Sequence, residues 1–244
     1  MSPIRIVFRR ELRSYFATPV AYVFIVIFLL CAGAFPFYLA DFYQSNQADL
    51  GRFFNFHPWL YLFLLPAISM RMWAEERKSG TIELLLTLPV TMLQAVIGKF
   101  LAAWTFAGIA LLLTFPMWIT VNYLGNPDNG VIVAAYIGSL LMAGAFLALS
   151  SCISALTKNQ VIAFVVGAAA SFLFLASGLD LVLDAFRAWA PGYFVDLVAS
   201  LSFLTHFGTV TRGVIGLPTV VFLVSLMLLC LFINTQIIEI EKAR

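Results

Sequence analysis

The strongest constraint on this chain is a series of long stretches with no Asp, Glu, Lys or Arg. They cover residues 14–40, 53–70, 100–127, 129–157, 159–179 and 213–238. Each meets or approaches the roughly 20 apolar residues a helix needs to cross a bilayer. Within hydrocarbon every backbone N–H and C=O must be paired internally, so stretches of this length fold as helices. The expected architecture is therefore all-α and polytopic, with six spans in a single transmembrane domain over residues 1–244.

Composition agrees, with 62% hydrophobic and 11% charged residues, where soluble domains carry about 25% charged. The basic residues are unevenly shared between the loops. With a cytoplasmic N-terminus, eleven face inward (Arg5, Arg9, Arg10, Arg13, Arg71, Arg77, Lys78, Lys99, Lys158, Lys242 and Arg244) and three outward (Arg52, Arg187 and Arg212). The positive-inside rule then places both termini in the cytoplasm. The first apolar stretch is too long for a signal-peptide core and reads as a span that directs insertion. Cys31, Cys152 and Cys230 fall inside apolar stretches without metal-ligand spacing and read as small buried hydrophobes.

Residues 71–99 are the one long charged segment between two apolar stretches, with Arg71, Glu75, Glu76, Arg77, Lys78 and Glu83 in its first half. Gly80 predicts a helix end. A short helix follows from Thr81, with Ile82, Leu84, Leu85, Leu86 and Leu88 apolar, Glu83 in the first turn and Pro89 as its stop. Thr91 and Gln94 have capping-box spacing and restart the chain as the third span. Ahead of the first span, residues 2–19 place Ile4, Val7, Phe8, Leu12, Tyr15 and Phe16 at helical spacing against Arg5, Arg9, Arg10 and Arg13. This predicts an interfacial helix whose arginines meet anionic lipid or an acidic protein surface.

Asp41 to Arg52 reads as a short outer loop, with His57 at the water boundary among Phe53, Phe54, Phe56, Trp59 and Tyr61. Ala163, Gly167 and Ser171 lie four apart, a small-residue stripe that admits a close neighbour. It is assigned to a subunit contact in preference to a partner in the same chain. Residues 180–212 are expected to form one or two short amphipathic or re-entrant helices on the outer side, with Phe194, Leu197, Val198, Leu201 and Leu204 recurring at helical spacing. His206 and Arg212 read as ordinary interface residues.

Most enzyme chemistry is excluded by what the chain lacks. Gly98-Lys99 is followed by Phe100, and Leu93 stands where a P-loop needs its first glycine, so ATP is not held here in that way. The span interiors are expected to carry no ionisable group, which removes the usual signature of ion-coupled transport. An intramembrane hydrolase, kept as a remote alternative, needs a histidine beside a serine, and neither histidine reads as lying in a span core. No metal site is expected. The fuel has to come from another subunit.

The segment EERKSGTIELLLTLPVTMLQAVIGKFLA resembles the motif of ABC-2 type exporter permeases, through Glu75, Glu76, Arg77, Gly80, Thr81, Glu83, Leu84, Leu85, Pro89, Gly98 and Lys99. FRRELRSYFATPVAYVF and HFGTVTRGVI extend the likeness over nearly the whole chain. Within that family the chain most resembles the permease of gliding-motility-associated ABC systems. The permease of nitrous-oxide-reductase maturation systems, which serve a copper site, is the alternative. The resemblance implies a non-catalytic subunit in a bacterial inner membrane, coupling ATP hydrolysis elsewhere to export or to force transmission. ATP and Mg would sit on a cytosolic ATPase dimer, and this chain would hold no cofactor of its own. Its coupling segment, residues 71–92, would dock in an ATPase groove through Glu75, Glu76, Arg77, Lys78, Gly80, Thr81, Ile82, Glu83, Leu84 and Leu85. Further implied partners are a second permease copy or homologous permease, a periplasmic auxiliary subunit and membrane lipid, with no nucleic acid.

Overall fold

A computed structural model of the chain describes residues 2–40, 42, 48–81 and 90–242, and every regular element among them is an α-helix. Helix α1 (Pro3–Ala17) starts on a proline at its first turn, where the missing N–H costs nothing, and stops at the extended Thr18. Pro19 restarts the chain as α2 (Pro19–Tyr38). The short α3 (Gly51–Phe54) leads into α4 (His57–Ser79). The third expected span is two helices, α5 (Met92–Leu112) and α6 (Phe115–Leu124), separated just ahead of Pro116. Helix α7 (Asn129–Leu156) is capped by Asp128, and α8 (Gln160–Ala176) by Asn159, each through its carboxyl or amide oxygen. Three short helices, α9 (Asp180–Arg187), α10 (Gly192–Ser200) and α11 (Phe203–Val210), precede α12 (Leu217–Lys242).

Five helical stretches are long and apolar enough to cross a membrane, or up to seven if each of two bent pairs counts as one span. The expected six spans fall within that range, and the chain is a multi-pass, all-α membrane protein. The fifth, α8, is the marginal one: it bends by 68° into α9, and α10 bends by the same angle into α11. The outer segment thus holds three helices where one or two are expected. Of the residues at helical spacing there, Phe194 (36%), Leu197 (55%) and Leu201 (42%) are exposed, and Val195 is the buried residue of α10.

Helix α7 is the centre of the bundle. Its contacts with α4 and α12 are among the most extensive in the chain, and α8, α5 and α11 also pack on it. The sequence reason is its small residues: Ala134, Ala135, Gly138, Ser139, Ala143, Gly144, Ala145, Ala148, Ser150, Ser151, Ser154 and Ala155 are all buried. Without a hydrophobic drive between helices in lipid, close backbone approach and van der Waals contact hold spans together. At Gly144 a Cβ would stand 2.6 Å from Met227 Sδ and 3.0 Å from Trp104 Nε1, so α5 and α12 both close on that point. By contrast α2 and α12 leave most of their surface uncovered, through residues such as Val23, Ile27, Leu30, Leu228 and Phe232.

The stripe Ala163, Gly167 and Ser171 is buried inside this chain, Gly167 facing Pro66 of α4 and Ser150 of α7 at 3.6 Å from the position of a Cβ. This corrects its assignment to a subunit contact, because the close approach that small residues allow is already taken by the chain's own helices. Packing of this kind predicts a contrast between two glycines. Gly144→Leu overpacks the α5–α7–α12 contact and destabilises by about 1–3 kcal/mol. Gly33→Ala, where nothing lies within 4 Å, leaves the midpoint unchanged or raised, as thermal unfolding in detergent checks.

Candidate functional site

The ends of α4, α5 and α1 that carry charge meet at one place. Gly80 takes φ +71° and ends α4 with Arg77 and Lys78 in its last turn, where cations complement the helix dipole. Helix α5 begins with a complete capping box: Gln94 N–H donates to Thr91 Oγ1 at 3.3 Å and Thr91 N–H to Gln94 Oε1 at 3.1 Å. Two turns on, Gly98 leaves room for α1, since a Cβ there would lie 2.8 Å from Val7 and 3.2 Å from the Ile4 carbonyl. Further along, Tyr15 stacks on Phe106 at 5.3 Å, so α1 lies along the first half of α5.

Between them sits Lys99, only 3% exposed. Its ammonium donates to Glu76 Oε1 at 2.7 Å and to the Met72 carbonyl at 3.0 Å, and lies 3.5 Å from Glu11 Oε1. It also stands 4.9 Å from the ring centre of the fully buried Trp73. Arg10 closes the ring, bonding Glu11 Oε1 at 2.6 Å and approaching Glu76 Oε1 at 3.6 Å. Burial alone would raise the Glu11 carboxyl, but the Lys99 and Arg10 charges outweigh it and hold that group below its ordinary value. Two cations and two carboxylates from three helices thus form a neutral cluster.

Helix α7 grips the same part of α4. Ser154 Oγ accepts from the Trp73 N–H at 3.3 Å and the Ala74 N–H at 3.2 Å and donates to the Met70 carbonyl at 3.0 Å. Arg77 donates to the Ala155 carbonyl. The end of α4 is therefore fastened by side chains from α5 and α7 together.

This geometry divides the expected site residues. Glu76 and Arg77 turn inward and bind this chain, whereas Glu75 and Lys78 remain exposed. Gly80 and Thr81 are exposed at the tip, the Thr81 hydroxyl 2.9 Å from that of Ser79. Ile82, Glu83, Leu84 and Leu85 lie outside the described residues. On α1, Arg5, Arg9 and Arg13 form an exposed line, and Arg10 belongs to the ion cluster. Glu11 and Trp73 escaped the sequence reading. Glu11 carried a usable signal, being the one acidic residue in RRELR and sitting on the same helix line as Val7 and Tyr15.

A second polar cluster corrects two expectations at once. His57 has no exposed surface; its Nδ1 lies 2.7 Å from Ser139 Oγ, which is also 2.7 Å from Tyr61 Oη. Phe53 and Phe54 stand edge-on to the imidazole at 4.7 and 5.1 Å. Ser139 is ten residues into α7, about 15 Å along the helix axis, so His57 is not at a water boundary. With Lys99, it also ends the expectation that no ionisable group lies inside the spans. The Ser139–His57 contact has the separation of a nucleophile and its base. Both side chains are 0% exposed, so no substrate carbonyl reaches them, and the pair works as a tie between α4 and α7. His206 is likewise a packing residue, stacked on Phe222 at 4.4 Å and bonded to the Ser200 carbonyl at 2.8 Å.

Two outcomes follow for the ion cluster. Lys99→Met leaves the two carboxylates with the exposed Arg10 as their one cation in the cluster and costs about 3–5 kcal/mol, read as a lowered thermal midpoint that Glu76→Gln partly restores. For Glu11, whose folded-state value is depressed, the stabilisation is present above the ordinary value of 4.5 and lost as pH falls below it. A pH series of thermal midpoints shows that loss, and the Glu11→Gln chain lacks the Glu11 share of it.

No curated protein matches the chain closely enough to count as a relative. A family model described as ABC-2 family transporter protein matches residues 5–234. That match takes in most of α1, the ion cluster and all or most of every candidate span, and so this chain belongs to the ABC-2 transporter family, as a transmembrane permease component of an ABC transporter.

Proposed function

We propose that this chain is the permease of an ABC-2 exporter of the gliding-motility-associated type, working as a pair of permease subunits on two cytosolic ATPases in a bacterial inner membrane. Both termini lie in the cytoplasm in this reading, and residues 71–92 are the coupling segment. ATP and Mg are bound by the ATPase alone. The observation that carries the reading is the buried Lys99 ammonium, which ties Glu76 at the base of that segment to α1 and α5. A push delivered to the tip cannot be absorbed by α4 alone. It passes through Lys99 into α5, through Glu11 and Arg10 into α1, and through Ser154 and Arg77 into α7.

Exposed Glu75 and Lys78 orient the ATPase, since rim charges steer association while a central apolar anchor holds it. Leu85 and Ile82 are that anchor by sequence pattern. The line Arg5, Arg9 and Arg13 meets anionic headgroups beside the bundle, at about 1 kcal/mol per basic residue near such a surface. The work done is export of a cargo or force transmission to a periplasmic partner.

Replacing Glu83 and Leu85 together with alanine is expected to abolish co-purification of the ATPase while the permease still inserts and folds. Unchanged association would overturn the coupling assignment. In reconstituted membranes, vanadate-sensitive ATP hydrolysis is expected only when the ATPase is added.

A further inference from the structure

The apolar surface of the bundle is interrupted by a cavity of about 460 Å³ between α5, α6 and α7. It arises where α5 stops at Leu112 and α6 restarts at Phe115. That break is pinned: the Thr114 hydroxyl donates to the Leu111 carbonyl at 2.6 Å and lies 3.0 Å from Tyr136 Oη. The lining includes Gly108, where a Cβ would stand 3.3 Å from Leu140 Cδ1, and the walls include Trp104, Trp118 and Ile137.

Both indole N–H groups that line this space are already used. Trp104 Nε1 donates to the Leu140 carbonyl at 2.8 Å and Trp118 Nε1 to Asn129 Oδ1 at 2.7 Å. What faces the cavity is hydrocarbon, and an apolar cavity does not hold water stably. The mouth opens sideways, past Leu112 (68% exposed), Phe115 (49%) and Ile137 (45%), on the outer face of two membrane-crossing helices. The medium at that mouth is lipid tails. Just beyond one end, past Trp118, Asn122 and Asn129 exchange amide hydrogen bonds of 3.1 and 3.2 Å. An aromatic ring and amides at one end of an apolar slot match the boundary between ester and hydrocarbon in a membrane lipid.

We propose that this cavity binds one acyl chain of a membrane phospholipid, its ester region at Asn122 and Asn129 and its tail against Gly108 and Trp104. The size and the apolar, aromatic lining are those of ligand pockets rather than of ordinary lipid-facing surface. The site goes beyond the coupling role proposed above and is independent of it. It faces the bilayer at the α5–α6 break, away from the Lys99 cluster, and fills the space that the break opens.

The test is native mass spectrometry of the full chain, purified in detergent and titrated with dioleoyl phosphatidylglycerol. One lipid per chain is expected to survive detergent that strips the rest. Gly108→Leu fills part of the cavity and Ile137→Phe narrows the mouth, and each is expected to weaken that retained lipid about tenfold or more. Leu228→Phe, on the exposed surface of α12, which does not line the cavity, is expected to keep it. Ile137 is half-exposed, so its variant folds even if the glycine variant does not, and it then decides alone. The absence of a retained lipid in the native chain would overturn the site. So would retention that ignores both cavity substitutions, or loss caused equally by Leu228→Phe.

Discussion

A buried ammonium ion cannot be left alone in a protein, and the Lys99 side chain sets the arrangement of the charged end of this molecule. Stripping an ion of water costs several kcal/mol even after relaxation, and its mutual attraction with partners repays this only if the geometry is good and every proton is used. Lys99 meets that condition with Glu76, Glu11 and the Met72 carbonyl, and the Trp73 ring covers it. Because those partners come from α4 and α1 while Lys99 is on α5, the three helices are held at one point. Charge that would otherwise favour water is what locks them.

The small-residue helix α7 answers a different physical demand. In lipid, apolar side chains gain little from meeting each other, so the spans cohere where backbones come close. Helix α7 provides glycine, alanine or serine to α4, α5, α8 and α12 along most of its length, and Ser154 and Ser139 add hydrogen bonds to α4 at two depths. The ionic cluster fastens α4 to α1 and α5 at one end, and close packing with the serine bonds joins α4 to α7 through the middle. In the coupling proposed above, these fastenings keep a push at the end of α4 from being lost in local bending.

The buried His57 group shows how far a contact can be from an activity. Ser139, His57 and Tyr61 stand in hydrogen-bond range in a chain of the right general class for an intramembrane hydrolase. The surrounding phenylalanine rings deny it water and substrate, and geometry without access is structure only. The same reasoning gives the opposite answer at the α5–α6 cavity, where the walls are apolar but the mouth is open to lipid.

What the amino-acid order determined by itself is local. Long uncharged stretches had no option but helix, because hydrocarbon offers the backbone no partner. Gly80 and Thr91 with Gln94 set helix ends at the expected positions, since caps act within a few residues of their own. The family motif was readable for the same reason, being one contiguous segment. Tertiary structure alone decided which residues share a site. Lys99 read as the edge of a span and became its buried anchor, 27 residues from Met72, whose carbonyl it binds. His57 read as a surface residue because an aromatic neighbourhood suits both an interface and a core. The Ala163–Gly167–Ser171 stripe predicted a close neighbour without saying whose. Periodicity tells which face of a helix is buried, but the identity of the covering surface is a long-range fact, fixed only when α4 and α7 closed over it.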